Sequence, residues 1–162
     1  MENKLKEIYD DKIIILKEIY KGSRDGDDAE SFHHKCDDLT GSLILIKSND
    51  EIIFGGFTKQ KWEGDCVFKF DTECFLFSFY PLKIYDIKKD KKAIYCNKKY
   101  GPCFGSITLG VNDNFLANGG WCCSSFLSNF DGYDTDYEIT KGENEFQIEE
   151  LEIYQIEAIN NE

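Results

Sequence analysis

Residues 35–62 read KCDDLTGSLILIKSNDEIIFGGFTKQKW, and two short apolar runs inside it, LILIK at 43–47 and IIFGGF at 52–57, set the reading of the whole chain. Each has strand length and is rich in β-branched or aromatic residues, and Ser48-Asn49-Asp50 supplies turn chemistry between them. The pair predicts an antiparallel hairpin. Gly55 and Gly56 fall inside its second strand, where glycine weakens the structure and contributes no packing. Two uses explain them, a positive φ or the close approach of another backbone or ring, and Trp62 lies only a few residues on.

Toward the C-terminus the same signal recurs. In CFLFSFY at 74–80, Phe75, Phe77 and Phe79 alternate with Cys74, Leu76 and Ser78, so three phenylalanines face one way. Further strands are predicted at KIYDI (83–87), AIYCN (93–97), SITLGV (106–111) and EFQIEELEIYQIEAI (145–159), punctuated by Gly101-Pro102 and Asn112-Asp113-Asn114. In the last run Phe146 and Ile148 share one face while Leu151 and Ile153 take the opposite parity, which predicts a bulge or bend at Glu149-Glu150. KQKWEGD and SSFLSNF have room for single helical turns. The expected fold is mainly β with peripheral helices (α+β), a sandwich of two antiparallel sheets.

Toward the N-terminus the period changes. Leu5, Tyr9, Ile13, Leu16 and Tyr20 recur at spacings of three and four, predicting an amphipathic helix over 5–20. KGSRDGDDAES, at 21–31, then reads as a helix stop and a solvated acidic linker. The expected division is an N-terminal helix at 1–21, a linker at 22–30 and a body at 31–159. Docking on the body, self-association with a second copy and binding of a partner are all open to such a helix.

The 162 residues suit one domain, and 41% hydrophobic residues with 13 Phe and 9 Tyr indicate a packed core. Acidic residues outnumber basic ones 31 to 19, a net charge of −12, which argues against nucleic acid or an anionic bilayer as the chain's main partner and favours a basic protein surface. The apolar run IIIL at 13–16 is too short for a signal peptide or a membrane span, so the expected location is the cytoplasm. Seven cysteines without a secretory signal read as free thiols.

Taken in order, Lys35, Cys36 and Asp37, a hydrophobic strand, a polar turn, Phe54-Gly55-Gly56-Phe57-Thr58 and Trp62 closely resemble the opening motif of the TLDc family. The resemblance continues through FLFSF at 75–79, GPCFG at 101–105 with Gly101, Pro102 and Gly105, and the closing FQIEELEIYQI at 146–156, where Glu152 precedes an apolar and an aromatic residue. It covers roughly residues 31–159. It implies a two-sheet sandwich flanked by helices, protection against oxidative stress, and binding to the peripheral part of the vacuolar proton-pumping ATPase at organelle membranes, with no reaction common to the family.

The expected function is therefore a non-catalytic interaction module for a protein partner, a peripheral subunit of a proton-pumping ATPase being the one the resemblance implies. Its expected surface is Asp131, Asp134, Asp136 and Glu138 with the glycine pair Gly119-Gly120. Gly119-Gly120-Trp121 falls where related domains place a glycine- and polar-rich loop, although Cys122-Cys123 follows it here. The alternative is a thiol-based peroxide scavenger or sensor at Cys36, which sits beside Lys35 and close to His33 and His34, the only histidines. Cys74 and Cys96 in strand cores, and Cys66 and Cys103 beside aromatic residues, read as inert. His33, His34 and Cys36 lack the second ligand pair of a zinc site, and Ile139 stands where a calcium loop would need glycine. No G-x-S-x-G elbow, P-loop or dinucleotide fingerprint occurs, so neither an enzyme nor a cofactor is expected.

Overall fold

The computed structural model describes residues 1–80 and 82–160. Its elements in chain order are α1 (Glu2–Ile8), β1 (Ile13–Lys21), α2 (Gly22–Asp25), α3 (Ala29–Cys36), β2 (Ser42–Ser48), β3 (Ile53–Thr58), β4 (Val67–Lys69), β5 (Phe75–Phe79), β6 (Leu82–Asp86), β7 (Ile94–Cys96), β8 (Cys103–Phe104), β9 (Leu109–Val111), α4 (Phe115–Asn118), β10 (Gly120–Cys122), β11 (Glu145–Phe146) and β12 (Ile148–Ile159). Among the described residues the strands form two six-stranded antiparallel sheets, ordered β1-β12-β2-β3-β5-β6 and β11-β10-β9-β8-β7-β4. The expected sandwich is present.

Alternation along the strands of the first sheet gives it two apolar faces. Ile44, Ile46, Phe54, Leu76, Leu151 and Ile153 point inward and meet Phe104, Leu109 and Val111 of the second sheet. Leu43, Phe57, Phe75, Phe77 and Ile156 point outward and are capped by Leu5 of α1, with Tyr9 edge-on to Phe57 at 6.2 Å. The β2–β3 hairpin pairs Leu45 with Gly55 and Ile44 with Gly56. The parity slip in the last strand is a register shift against β2 between Ile148 and Glu150, the bulge read from Glu149-Glu150.

The two glycines solve different problems. A Cβ on Gly56 would lie 2.6 Å from the Phe104 ring and 2.8 Å from Leu76, so its absence seats a ring from the opposite sheet. A Cβ on Gly55 would run into the backbone carbonyl of Ile44. Trp62 contributes at one remove: it packs edge-on against Phe104 at 5.5 Å and against Phe32 at 5.7 Å.

The helix expected over 5–20 is corrected to two elements. Only Glu2–Ile8 is helical, and Ile13–Lys21 is an edge strand antiparallel to β12, with Ile13 opposite Ile159. Asp10 and Asp11 both take positive φ (54° and 57°) and turn the chain between them. The three consecutive isoleucines at 13–15 favour an extended backbone, and β12 is long enough to pair with it, so tertiary pairing overrides the helical spacing. The stretch expected as an acidic linker is structured as well. It holds α2 and the N-cap of α3, where the Asp28 carboxylate accepts from the Ser31 N–H at 2.7 Å. Of the two expected helical turns, Ser125–Leu127 forms a 3₁₀ turn, while residues 59–65 are irregular.

Candidate functional site

Helix α3 carries the residues of the thiol alternative. Cys36 is fully buried in the core between the sheets. Burial, and then the Asp37 carboxylate, push its thiol up to about 12, against which the Lys35 charge works only weakly. Lys35 itself is paired with Asp25 at 2.7 Å. His33 is buried and bonds elsewhere, its Nδ1 2.6 Å from the Asp37 carboxylate and its Nε2 3.0 and 3.1 Å from the carbonyls of Asn97 and Tyr100. The pair His33–Asp37 therefore clamps α3 to the loop after β7, and neither ring nitrogen bonds the thiol. No thiolate is prepared at Cys36.

Six of the cysteines are buried, and Cys66, read from sequence as inert, is the exposed one. It sits at positive φ (57°) in an irregular stretch ahead of β4, which no local pattern announced. On brief treatment of the folded chain with iodoacetamide, Cys66 is expected to be labelled first and the other six only after denaturation. Intact-mass analysis checks this, and rapid labelling of Cys36 would restore the thiol reading.

The acidic loop at 131–138 is built on β6. Glu138 begins a 3₁₀ turn, Glu138–Thr140, and its carboxylate collects four donors: Lys83 Nζ at 2.7 Å, Tyr85 Oη at 2.9 Å, and the N–H groups of Asp134 and Thr135 at 2.7 and 3.3 Å. The Tyr133 ring packs at 4.8 Å against the buried Tyr85 ring, tilted by 39°. Burial alone would raise the Glu138 carboxyl, but Lys83 and these hydrogen bonds outweigh it and hold the group down at about 2. Its stabilisation is thus present above the ordinary value of 4.5 and is lost as pH falls through about 2. Glu138→Gln is expected to cost about 2 kcal/mol near neutrality. The difference in melting temperature between the two proteins should shrink as pH is lowered from 4.5 toward 2.

The remaining acids of the loop lie outside. Asp131 and Asp136 are exposed, and the Asp134 side chain is 85% exposed even while paired with Lys83 at 2.7 Å. Asp136 accepts from the N–H and hydroxyl of Ser125 at 2.9 and 2.7 Å, tying the loop to the preceding 3₁₀ turn. Gly119 and Gly120, expected on the same surface, are buried. Gly119 has φ of +61° against the Phe146 backbone and Gly120 faces the Phe146 ring, so the pair packs β10 against β11. The structure unites the four acids and leaves the glycines inside. Lys83 and Tyr85, which shape the loop, had no signal in the sequence beyond their place on a predicted strand.

The other motif residues are architectural. Gly101 donates to the Val111 carbonyl at 2.9 Å and Pro102 accepts from the Val111 N–H at 3.2 Å, joining the start of β8 to β9. Glu152 accepts from Lys21 at 2.8 Å and from Tyr154 Oη at 2.7 Å, fastening β12 to β1. Among the described residues no group of three or more His, Cys, Asp or Glu side chains is arranged to hold a metal ion.

A family model described as the TLDc domain matches residues 3–157. Similar proteins include the MTOR-associated protein MEAK7 of Xenopus laevis, 29% identical over 102 residues that make up 60% of this chain and 22% of that protein. The protein of the same name from Mus musculus is 28% identical over 100 residues with the same coverage, and that from Gallus gallus is 38% identical over 55 residues, 32% of this chain and 12% of that one. The chain spans about a fifth of the length of the first of these relatives. With the Lys-Cys-Asp helix, the glycine strand and the closing glutamate strand all in place on two packed sheets, and a family match running almost end to end, the chain belongs to the TLDc domain family.

Proposed function

We propose that this chain is a non-catalytic protein-interaction module whose recognition element is the acidic loop at 131–138. The observation that carries the reading is the lock on Glu138: one carboxylate is spent on ordering the loop, and Asp131, Asp134 and Asp136 are thereby displayed on a pre-organised frame. The net charge of −12 favours a basic partner surface, and the burial of Cys36 removes the support for a peroxide-reactive thiol. The TLDc membership suggests a peripheral subunit of a proton-pumping ATPase as that partner, with protection against oxidants following from it. The relatives carry the name MTOR-associated, which suggests MTOR as a second candidate partner.

No helix of the described residues is long and apolar enough to cross a membrane, and a peripheral role for the module at organelle surfaces fits the proposal. The test is affinity capture from lysate of the source cells, with wild-type and Asp131→Lys/Asp134→Lys chains compared at low and high salt. Wild type is expected to retain a basic partner at low salt, with recovery falling about tenfold for the variant and at high salt. Equal recovery by both chains at both salt concentrations would overturn the assignment of this loop.

A further inference from the structure

The turn between β6 and β7 reads IKKDKKA from Ile87 to Ala93, so four of the chain's nineteen basic side chains fall within five residues of an acidic protein. Lys88, Lys89, Lys91 and Lys92 make no ion pair among the described residues, whereas Lys4, Lys21, Lys35, Lys47, Lys59 and Lys83 do. Lys88 donates to the Ser128 carbonyl at 2.9 Å, and the Lys92 ammonium lies over the rings of Phe70 and Phe68 at 4.7 and 5.4 Å. Lys89 and Lys91 are exposed.

Apolar side chains crowd the same end of the sandwich. Phe126 is 91% exposed and Leu127 50%, both on the 3₁₀ turn, and Phe70 is 55% exposed just beyond β4. Backbone bonds hold these segments together: Ala93 N–H to the Lys69 carbonyl at 2.9 Å, and Lys88 N–H to the Asn129 carbonyl at 2.9 Å. The Asn129 side chain adds a bond to the Lys92 carbonyl at 3.0 Å. Between Phe70, Ile87, Lys88, Lys89 and Lys91 lies a cleft of about 540 Å³.

We propose that this loop end docks on an anionic membrane surface, with Phe126, Leu127 and Phe70 entering the headgroup boundary, the exposed Lys89 and Lys91 holding lipid phosphates and carboxylates, and Lys88 and Lys92 adding positive charge beside them. Phenyl and leucyl groups without a polar tip gain most from hydrocarbon, and lysines that rim them extend their stems along the apolar patch while their ammonium groups reach the headgroups. A nucleic acid would need cations strung along a backbone track, and here they are confined to one turn. The acidic groups on this face include Asp90 at the tip of the turn, Asp71 in the cleft, held by the Thr58 hydroxyl and the Lys59 N–H, Asp136, held by Ser125, and the exposed Asp86 and Asp131, which flank the turn and are joined by the Asp131 N–H to the Asp86 carbonyl at 2.8 Å. Physiological salt screens exposed charges beyond roughly 8 Å, so acidic groups farther off than that weaken a contact here little. The whole-chain charge therefore does not forbid a local contact. The inference does not depend on the partner proposed for the acidic loop.

Sedimentation of the purified chain with phosphatidylcholine vesicles, alone or with added phosphatidylserine, tests it at low and physiological salt. The chain is expected to sediment only with the phosphatidylserine vesicles. Binding should drop about tenfold for Lys89→Glu/Lys91→Glu and, separately, for Phe126→Ser/Leu127→Ser, each with an unchanged melting temperature. Absence of binding at low salt, equal binding to neutral vesicles, retention by either variant, or preferential binding of single-stranded RNA would overturn it.

Discussion

Gly55→Ala is expected to destabilise the chain by about 3 kcal/mol, measured by urea unfolding, the upper part of the range for overpacking a close-packed interior. Gly55 sits in β3 between Leu45 of β2 and Phe77 of β5. The added methyl group collides with the Ile44 carbonyl oxygen, a backbone atom that cannot rotate aside, and also approaches the Phe77 ring to 3.1 Å. Relief requires β2 and β3 to separate, at the cost of their ladder hydrogen bonds. Gly56→Ala meets only side chains, the rings and methyl groups of Phe104 and Leu76, which can yield by small shifts. Its expected cost is nearer 1 kcal/mol. Equal costs at the two positions would contradict the distinction drawn between a backbone approach and a ring seat.

Trp62→Ala is expected to cost about 4 kcal/mol. The side chain is 1% exposed, wedged between Phe32 and Phe104, and its indole N–H donates to the buried Ser42 hydroxyl at 2.9 Å. Truncation opens a cavity where α3, the first sheet and the second sheet meet, and leaves the Ser42 oxygen without its donor. Trp62→Phe restores most of the ring packing without the hydrogen bond, so about 1–2 kcal/mol should remain lost. A fluorescence-independent probe, far-ultraviolet circular dichroism against urea, ranks the three proteins. If Trp62→Phe were as costly as Trp62→Ala, the hydrogen bond would outweigh the packing.

The parts of the fold legible in the sequence were those carried by local period. The hairpin at 43–57, the one-sided phenylalanines of β5 and the bulge at Glu149-Glu150 each show in alternation, because one face of those strands is apolar and register follows from it. The second sheet was only partly legible: β8 and β11 contribute two residues each, β4, β9 and β10 three, lengths at which no period exists. Strand β1 was misread because Leu5, Tyr9, Ile13, Leu16 and Tyr20 satisfy a helical spacing whose second half is decided by a partner strand more than a hundred residues away.

The candidate site followed the same division. Its acidic residues stood out as a charge run, but charge runs do not say which carboxylate is inward, and only the approach of Lys83 and Tyr85 singles out Glu138. Gly119-Gly120 looked like a surface loop and serves the packing of three strands. Cys36 looked activated because Lys35 and the histidines are its neighbours in sequence, but neighbours on a helix point in different directions, and Lys35 and His33 bond elsewhere. The lysine run at 88–92 was visible throughout, whereas its apolar companions at 70, 126 and 127 come from two other segments and meet it only in the fold.

The central claim is that this domain acts by binding through an ordered acidic loop. Amide hydrogen exchange of the chain, free and in complex with the salt-sensitive partner it captures, measures that most directly. Slower exchange on binding is expected at residues 131–138 and the adjoining β6, with the core strands unchanged. Protection confined to other surfaces, with residues 131–138 exchanging as fast in the complex as in the free chain, would contradict it.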